Sequence, residues 1–154
     1  MKVWILNAFC ISLLLLTFRT AHAQQDANQE AHPIAVLVNQ SVSIDTLSSA
    51  QLRMIFAGRT QFWPDGSRIR VFVLPPDNPT HQQFCRDLLN IYPYQLERIW
   101  QRVVYSGQGD APVVAQNVAE LTDKLAQTPG AIGYIPLPAQ AMDNINMITV
   151  GAQP

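Results

Sequence analysis

Helical and strand-like stretches alternate along this chain at a spacing that predicts a layered α/β domain rather than a β-sandwich or a helical bundle. Three observations carry that reading. Four apolar runs rich in β-branched residues, 34–38, 69–74, 131–135 and 145–150, are too short for helices and read as strands of a sheet. Between them, apolar residues recur every three or four positions, as on the buried face of a helix. Once an amino-terminal leader of 23 residues is set aside, 131 of the 154 remain, a length that suits one hydrophobic core and one domain.

The leader comes first. Lys2 gives a positive start, Val3 to Phe18 is mostly apolar, and Ala21-His22-Ala23 supplies an A-x-A cleavage site, so residues 1–23 read as a secretory signal peptide. The apolar run is short for a spanning helix, which makes an uncleaved anchor the secondary reading. Cys10 lacks the small residues of a lipoprotein signal after it, and no lipid anchor is expected. The mature chain then begins at Gln24, with residues 24–33 a polar leader without periodicity and residues 34–154 the domain. Loss of Lys2 and Arg19 takes the basic count from 10 to 8 against 11 acidic residues, a net charge of −3 that argues against a nucleic-acid surface. Only Cys85 survives cleavage, so no intramolecular disulfide is expected and the thiol reads as a buried core residue.

Within the domain, residues 34–38 form the first strand and 39–46 a loop. Ser48 with Gln51 makes an S-x-x-Q capping box, Leu52, Ile55 and Phe56 share one helical face, and Gly58 stops the helix. In the W-P-D-G that follows, Pro64 suits the second position of a turn and Gly66 tolerates a positive φ. The strand 69–74 runs into P-P-D-N-P-T, where Asn78 is a helix N-cap and Pro79 the first helical residue. Phe84, Cys85, Leu88 and Leu89 give that helix its apolar face. Pro93 opens another, with Leu96, Ile99, Trp100 and Val103 toward a core. After the loop 106–112, Val114, Val118, Leu121 and Leu125 mark a further helix that T-P-G ends. Strand 131–135, a connection over 136–142 with one helical turn, and strand 145–150 complete the chain. Phe56, Trp100 and Ile132 are all expected to be buried.

Two of these stretches carry a resemblance. Leu47-Ser48 at a helix start, Ile55 to Arg59 (IFAGR), Trp63 ahead of Asp65-Gly66, and the strand led by Ile69 are similar to a signature of phosphate-type (type 2) periplasmic solute-binding proteins. Thr128 to Ile135, TPGAIGYI, resembles a second signature of that family, in the same order. The likeness covers roughly Ile34 to Val150 and corresponds to the second lobe alone of a two-lobed receptor. It implies a three-layer single lobe with a central mixed β-sheet flanked by helices. It also implies a periplasmic location and a binding module, not an enzyme, that holds phosphate or another small oxyanion for an ABC-type transport or sensing system.

The residues themselves show no Walker loop, no G-x-G-x-x-G, no H-E-x-x-H and no C-x-x-C, and His32 and His81 lie far apart with no ligand spacing near either. Neither a metal, a cofactor nor a catalytic group is expected. A strand leading through Asn78-Pro79-Thr80 into a helix does offer backbone N–H groups and a hydroxyl at the positive end of the helix dipole, which suits an anion. Aligned on Phe84, the receptors' R-x-x-G-S-G-T-T turn puts Leu74 at their Arg, Asn78-Pro79 at Ser-Gly, and Thr80-His81 at Thr-Thr. Leu74 brings no guanidinium and Pro79 no N–H, two departures from the charged clamp. The resemblance thus points to Asn78, Thr80 and His81 as ligand-binding residues. Against it stand a structural reading, in which Asn78 and Thr80 merely cap the helix, and a second functional class, a non-catalytic module that docks on an envelope protein such as a transporter or sensor. A hydrolase would need a convergent triad for which nothing local argues.

Overall fold

The computed structural model describes residues 33–138 and 143–151. The signal peptide and most of the polar leader lie outside the described residues, as do residues 139–142 of the connection expected over 136–142. In chain order the elements are β1 (Ile34–Asn39), β2 (Thr46–Ser48), α1 (Ser49–Phe56), β3 (Arg70–Val73), α2 (Pro79–Asp87), α3 (Pro93–Tyr105), β4 (Val113–Val114), α4 (Val118–Gln127), β5 (Ala131–Pro136) and β6 (Ile145–Gly151).

The six strands form one sheet in the order β2-β6-β1-β5-β3-β4. β1 pairs antiparallel with both β5 and β6, whereas β2 with β6, β3 with β5 and β3 with β4 pair in parallel. Five strands therefore run one way and β1 alone runs against them, giving a mixed sheet. The central strands β1 and β5 are buried almost end to end, which requires cover on both faces. On one face α4 lays Leu121 and Leu125 on Gly133, and Asn39 fixes its end by donating to the Leu125 and Ala126 carbonyls at 2.8 and 3.0 Å. On the other, Phe56 of α1 and Phe84 of α2 pack on Tyr134, and α3 packs on α2.

Local chemistry sets the helix starts as the sequence implies. The Ser48 hydroxyl accepts from Gln51 N–H while the Gln51 side chain accepts from Ser48 N–H, a complete capping box. Gly58, just past α1, has φ +70°. The two sequence signatures meet in space: the Trp63 indole donates to the Gly130 carbonyl at 3.0 Å, and Arg70 N–H donates to the same oxygen.

Three expectations change. The segment assigned to a loop over 39–46 contributes to the sheet at both ends, because Asn39 closes β1 and Thr46 opens β2, a three-residue strand made by pairing with β6. Val114 is in β4, not in a helix; α4 starts only after Asn117, whose side chain accepts from Glu120 N–H while the Glu120 carboxylate accepts from Gln116 N–H. Trp100 is half-buried rather than buried, whereas Phe56 and Ile132 lie in the core. Its indole N–H donates to the Phe56 carbonyl at 2.6 Å, which ties α3 to the end of α1 and leaves part of the ring lining a cleft.

Candidate functional site

The parallel strands bring the starts of α1, α2 and α4 to one end of the sheet, the carboxyl end of β2, β3 and β4. In open α/β sheets this is the end at which ligands bind. There, β3 leaves the sheet through Pro75 to Asn78, a turn closed by Asn78 N–H donating to the Pro75 carbonyl at 3.0 Å. The Asn78 side chain accepts from Thr80 N–H at 2.9 Å, and Pro79 occupies the first helical position. Two of the first N–H groups are thus removed, one by the cap and one by proline. The His81 backbone N–H, without a partner among the described residues, and the half-buried Thr80 hydroxyl remain as donors. No acidic residue stands in the first turn of α2, whereas Glu120 already fills that place in α4.

His81 leaves this group. Its side chain is 0% exposed, directed into the core from the first turn of α2. The Tyr134 hydroxyl, on β5, accepts from Leu74 N–H at 3.0 Å and is hydrogen-bonded to His81 Nδ1. His81 Nε2 in turn lies 3.5 Å from Cys85 Sγ. Among the described residues His81 Nδ1 is the acceptor within reach of the Tyr134 proton, and pairing that proton assigns His81 the neutral Nε2–H tautomer, which donates to the thiol sulfur. This chain of hydrogen bonds spans the strand that leaves the sheet, the central strand and the first turn of α2.

Burial keeps every member of the chain neutral. Desolvation lowers the His81 pKa to about 4, raises that of the Cys85 thiol to about 12, and pushes the Tyr134 phenol up as well. A thiol held protonated in the core is no nucleophile. Leu74, at the position where the resemblance would put an Arg, has a side chain 1% exposed, so the register that should supply a clamp points inward. Of the three site residues read from the sequence, Asn78 and Thr80 stand together at the turn, and His81 lies beneath it. Tyr134 was visible only as a residue of the second signature; its role depends on a contact across 53 positions. Among the described residues, no group of three or more His, Cys, Asp or Glu could hold a metal ion.

No family model and no curated protein sequence matches the chain. Solved structures do. It is similar to an ABC-type phosphate transport receptor from Vibrio cholerae (16% identity, TM-score 0.60, covering 80% of this chain and 48% of that one). It is similar also to PstS from Borrelia burgdorferi (18%, 0.60, 80% and 49%). A third is a putative phosphate ABC transporter substrate-binding protein with bound phosphate from Clostridium perfringens (14%, 0.60, 77% and 45%). The chain thus has the fold of these phosphate substrate-binding proteins while spanning just under half of their length, as a single lobe does.

Proposed function

We propose, from this shared fold, that the chain is a non-catalytic, phosphate-receptor-like lobe that holds a small oxyanion such as phosphate at the start of α2, on Thr80 and the backbone of the Asn78 turn. The observation that carries the reading is the placement of that turn: an acid-free helix start at the carboxyl end of the parallel strands, in a fold shared with phosphate receptors. With a buried leucine in place of a guanidinium and no N–H at Pro79, binding rests on neutral donors and is weaker than a charged clamp would give. The same reading places the protein in the periplasm, beside an envelope transporter or sensor.

Titration calorimetry with phosphate and sulfate tests it. Thr80→Val keeps the shape and removes one hydroxyl donor, so affinity falls by about 0.5–1.5 kcal/mol, roughly two- to tenfold. Absence of heat from the folded wild type, or an unchanged affinity in Thr80→Val, refutes the assignment.

A further inference from the structure

At the opposite end of the sheet, where β3 and β4 begin, the surface has a different character. Arg68 and Arg70 converge on a single carboxylate: Asp110 Oδ2 lies 2.6 Å from Arg68 and 4.0 Å from Arg70. All three side chains are largely open to solvent, at 43%, 53% and 67%, and an exposed pair of this kind contributes little to stability. Two guanidiniums and one acid leave a local excess of positive charge, and Arg70 has no other acid within pairing distance among the described residues.

Beneath the arginines is a cleft of about 60 Å³ floored by apolar side chains, including Ile69, Val71 and part of Trp100. It continues into a wider open hollow of about 450 Å³ that shares Arg68 and Asp110 and reaches Val104. The wall carrying Asp110 is fixed in place. The Gln61 amide donates to the Gln108 carbonyl, and a Cβ on Gly109 would come within 2.8 Å of Gln61 and 3.0 Å of Val103, so the loop lies flat on its neighbours. Around this charged centre apolar side chains are left in water: Val104 (45%) on α3 and Val113 (44%) on the edge strand.

An apolar rim around partly paired arginines has the composition of a protein-recognition surface more than of a solvated face. We propose that this end of the molecule docks an extended protein segment in which apolar side chains stand two residues before and two residues after a carboxylate, on the same face of the segment. The carboxylate enters beside Arg68 and Arg70, in competition with Asp110, and the apolar side chains on the same face of the segment cover Val104 and Val113. Charge complementarity selects the occupant, since a second anionic group completes the pairing of Arg70. Side chains hold the segment. Ala115 N–H donates inward to Val73, so by alternation Val114 and Pro112 face the open edge, and Pro112 has no N–H for strand pairing. This surface is separate from the Asn78 turn and does not depend on anion binding there.

The test uses the purified protein and two capped pentapeptides, Val-Ser-Glu-Ser-Val and Val-Ser-Gln-Ser-Val, which put both valines on the face of the central residue, followed by amide NMR shifts and calorimetry. The glutamate peptide should bind with shifts at Gln61, Val104, Asp110 and Val113, about tenfold more tightly than the glutamine peptide. Arg70→Gln, or the double change Arg68→Gln with Arg70→Gln, should weaken it by a similar factor, with folding checked by circular dichroism. Asp110→Asn should strengthen it, because it frees both guanidiniums, and a merely structural ion pair would not give that result. The proposal is overturned by equal affinity for the two peptides, by weakened binding in Asp110→Asn, by absence of shifts at millimolar peptide, or by shifts confined to the Asn78 turn. A doubling of molecular mass that protects the same residues also overturns it, since the occupant would then be a second copy.

Discussion

Replacing Tyr134 by Phe isolates the hydroxyl that joins three elements. The phenyl ring stays against Phe84, with which Tyr134 stacks at a centroid distance of 3.8 Å and 5° between planes, so packing changes little. What is lost is the acceptor for Leu74 N–H and the donor to His81 Nδ1, both in the interior. Each buried group left unpaired costs about 1–3 kcal/mol, so the expected loss is about 2–5 kcal/mol. That is a large part of the whole stability of a small domain. Urea denaturation followed by the fluorescence of Trp63 and Trp100 should show a lower midpoint at unchanged slope. A double-mutant cycle with His81→Leu isolates the pair: the double mutant should lose less than the two singles summed, with a coupling of about 0.5–3 kcal/mol. Strict additivity, or a loss under about 0.5 kcal/mol for Tyr134→Phe, would refute the network.

Other perturbations follow from the same structure. Below pH 6.5 an unfolded chain protonates His81, whereas the folded pKa is about 4. The unfolded state then binds more protons, so this contribution is complete above pH 6.5 and is lost as pH falls toward 4, by roughly 3 kcal/mol. Comparing wild type with His81→Gln over pH 4 to 7 checks it, and the slope should flatten in the variant. Gly130→Ala should cost about 2–5 kcal/mol, because φ is +73° and an added Cβ would lie 2.3 Å from the Arg68 carbonyl; thermal melting should show a large drop. Intact-mass measurement of protein exported by its own host should give a chain starting at Gln24, and a mass that retains Met1 to Ala23 would contradict the signal-peptide reading.

Sequence alone determined what depends on neighbours along the chain. The capping box at Ser48, the Asn78 cap with Pro79 and the stop at Gly58 need only residues a few positions apart, and all three were legible. Hydrophobic period placed four strands and four helices and gave the α/β class, and the two signatures indicated the receptor fold. Period misled at Val114, where a valine four residues before Val118 matched a helix that Asn117 and Glu120 in fact begin later. Strands of two or three residues carry no periodicity, and β2 and β4 exist only because β6 and β3 pair with them. The site divides the same way. Asn78 and Thr80 were readable because a cap is local, but the direction of the His81 side chain depended on which face of α2 meets Tyr134, set by packing across the sheet. Arg68, Arg70 and Asp110 read in one dimension as ordinary surface charges. Only the return of the chain through α3 puts Asp110 beside the start of β3, 42 residues from Arg68.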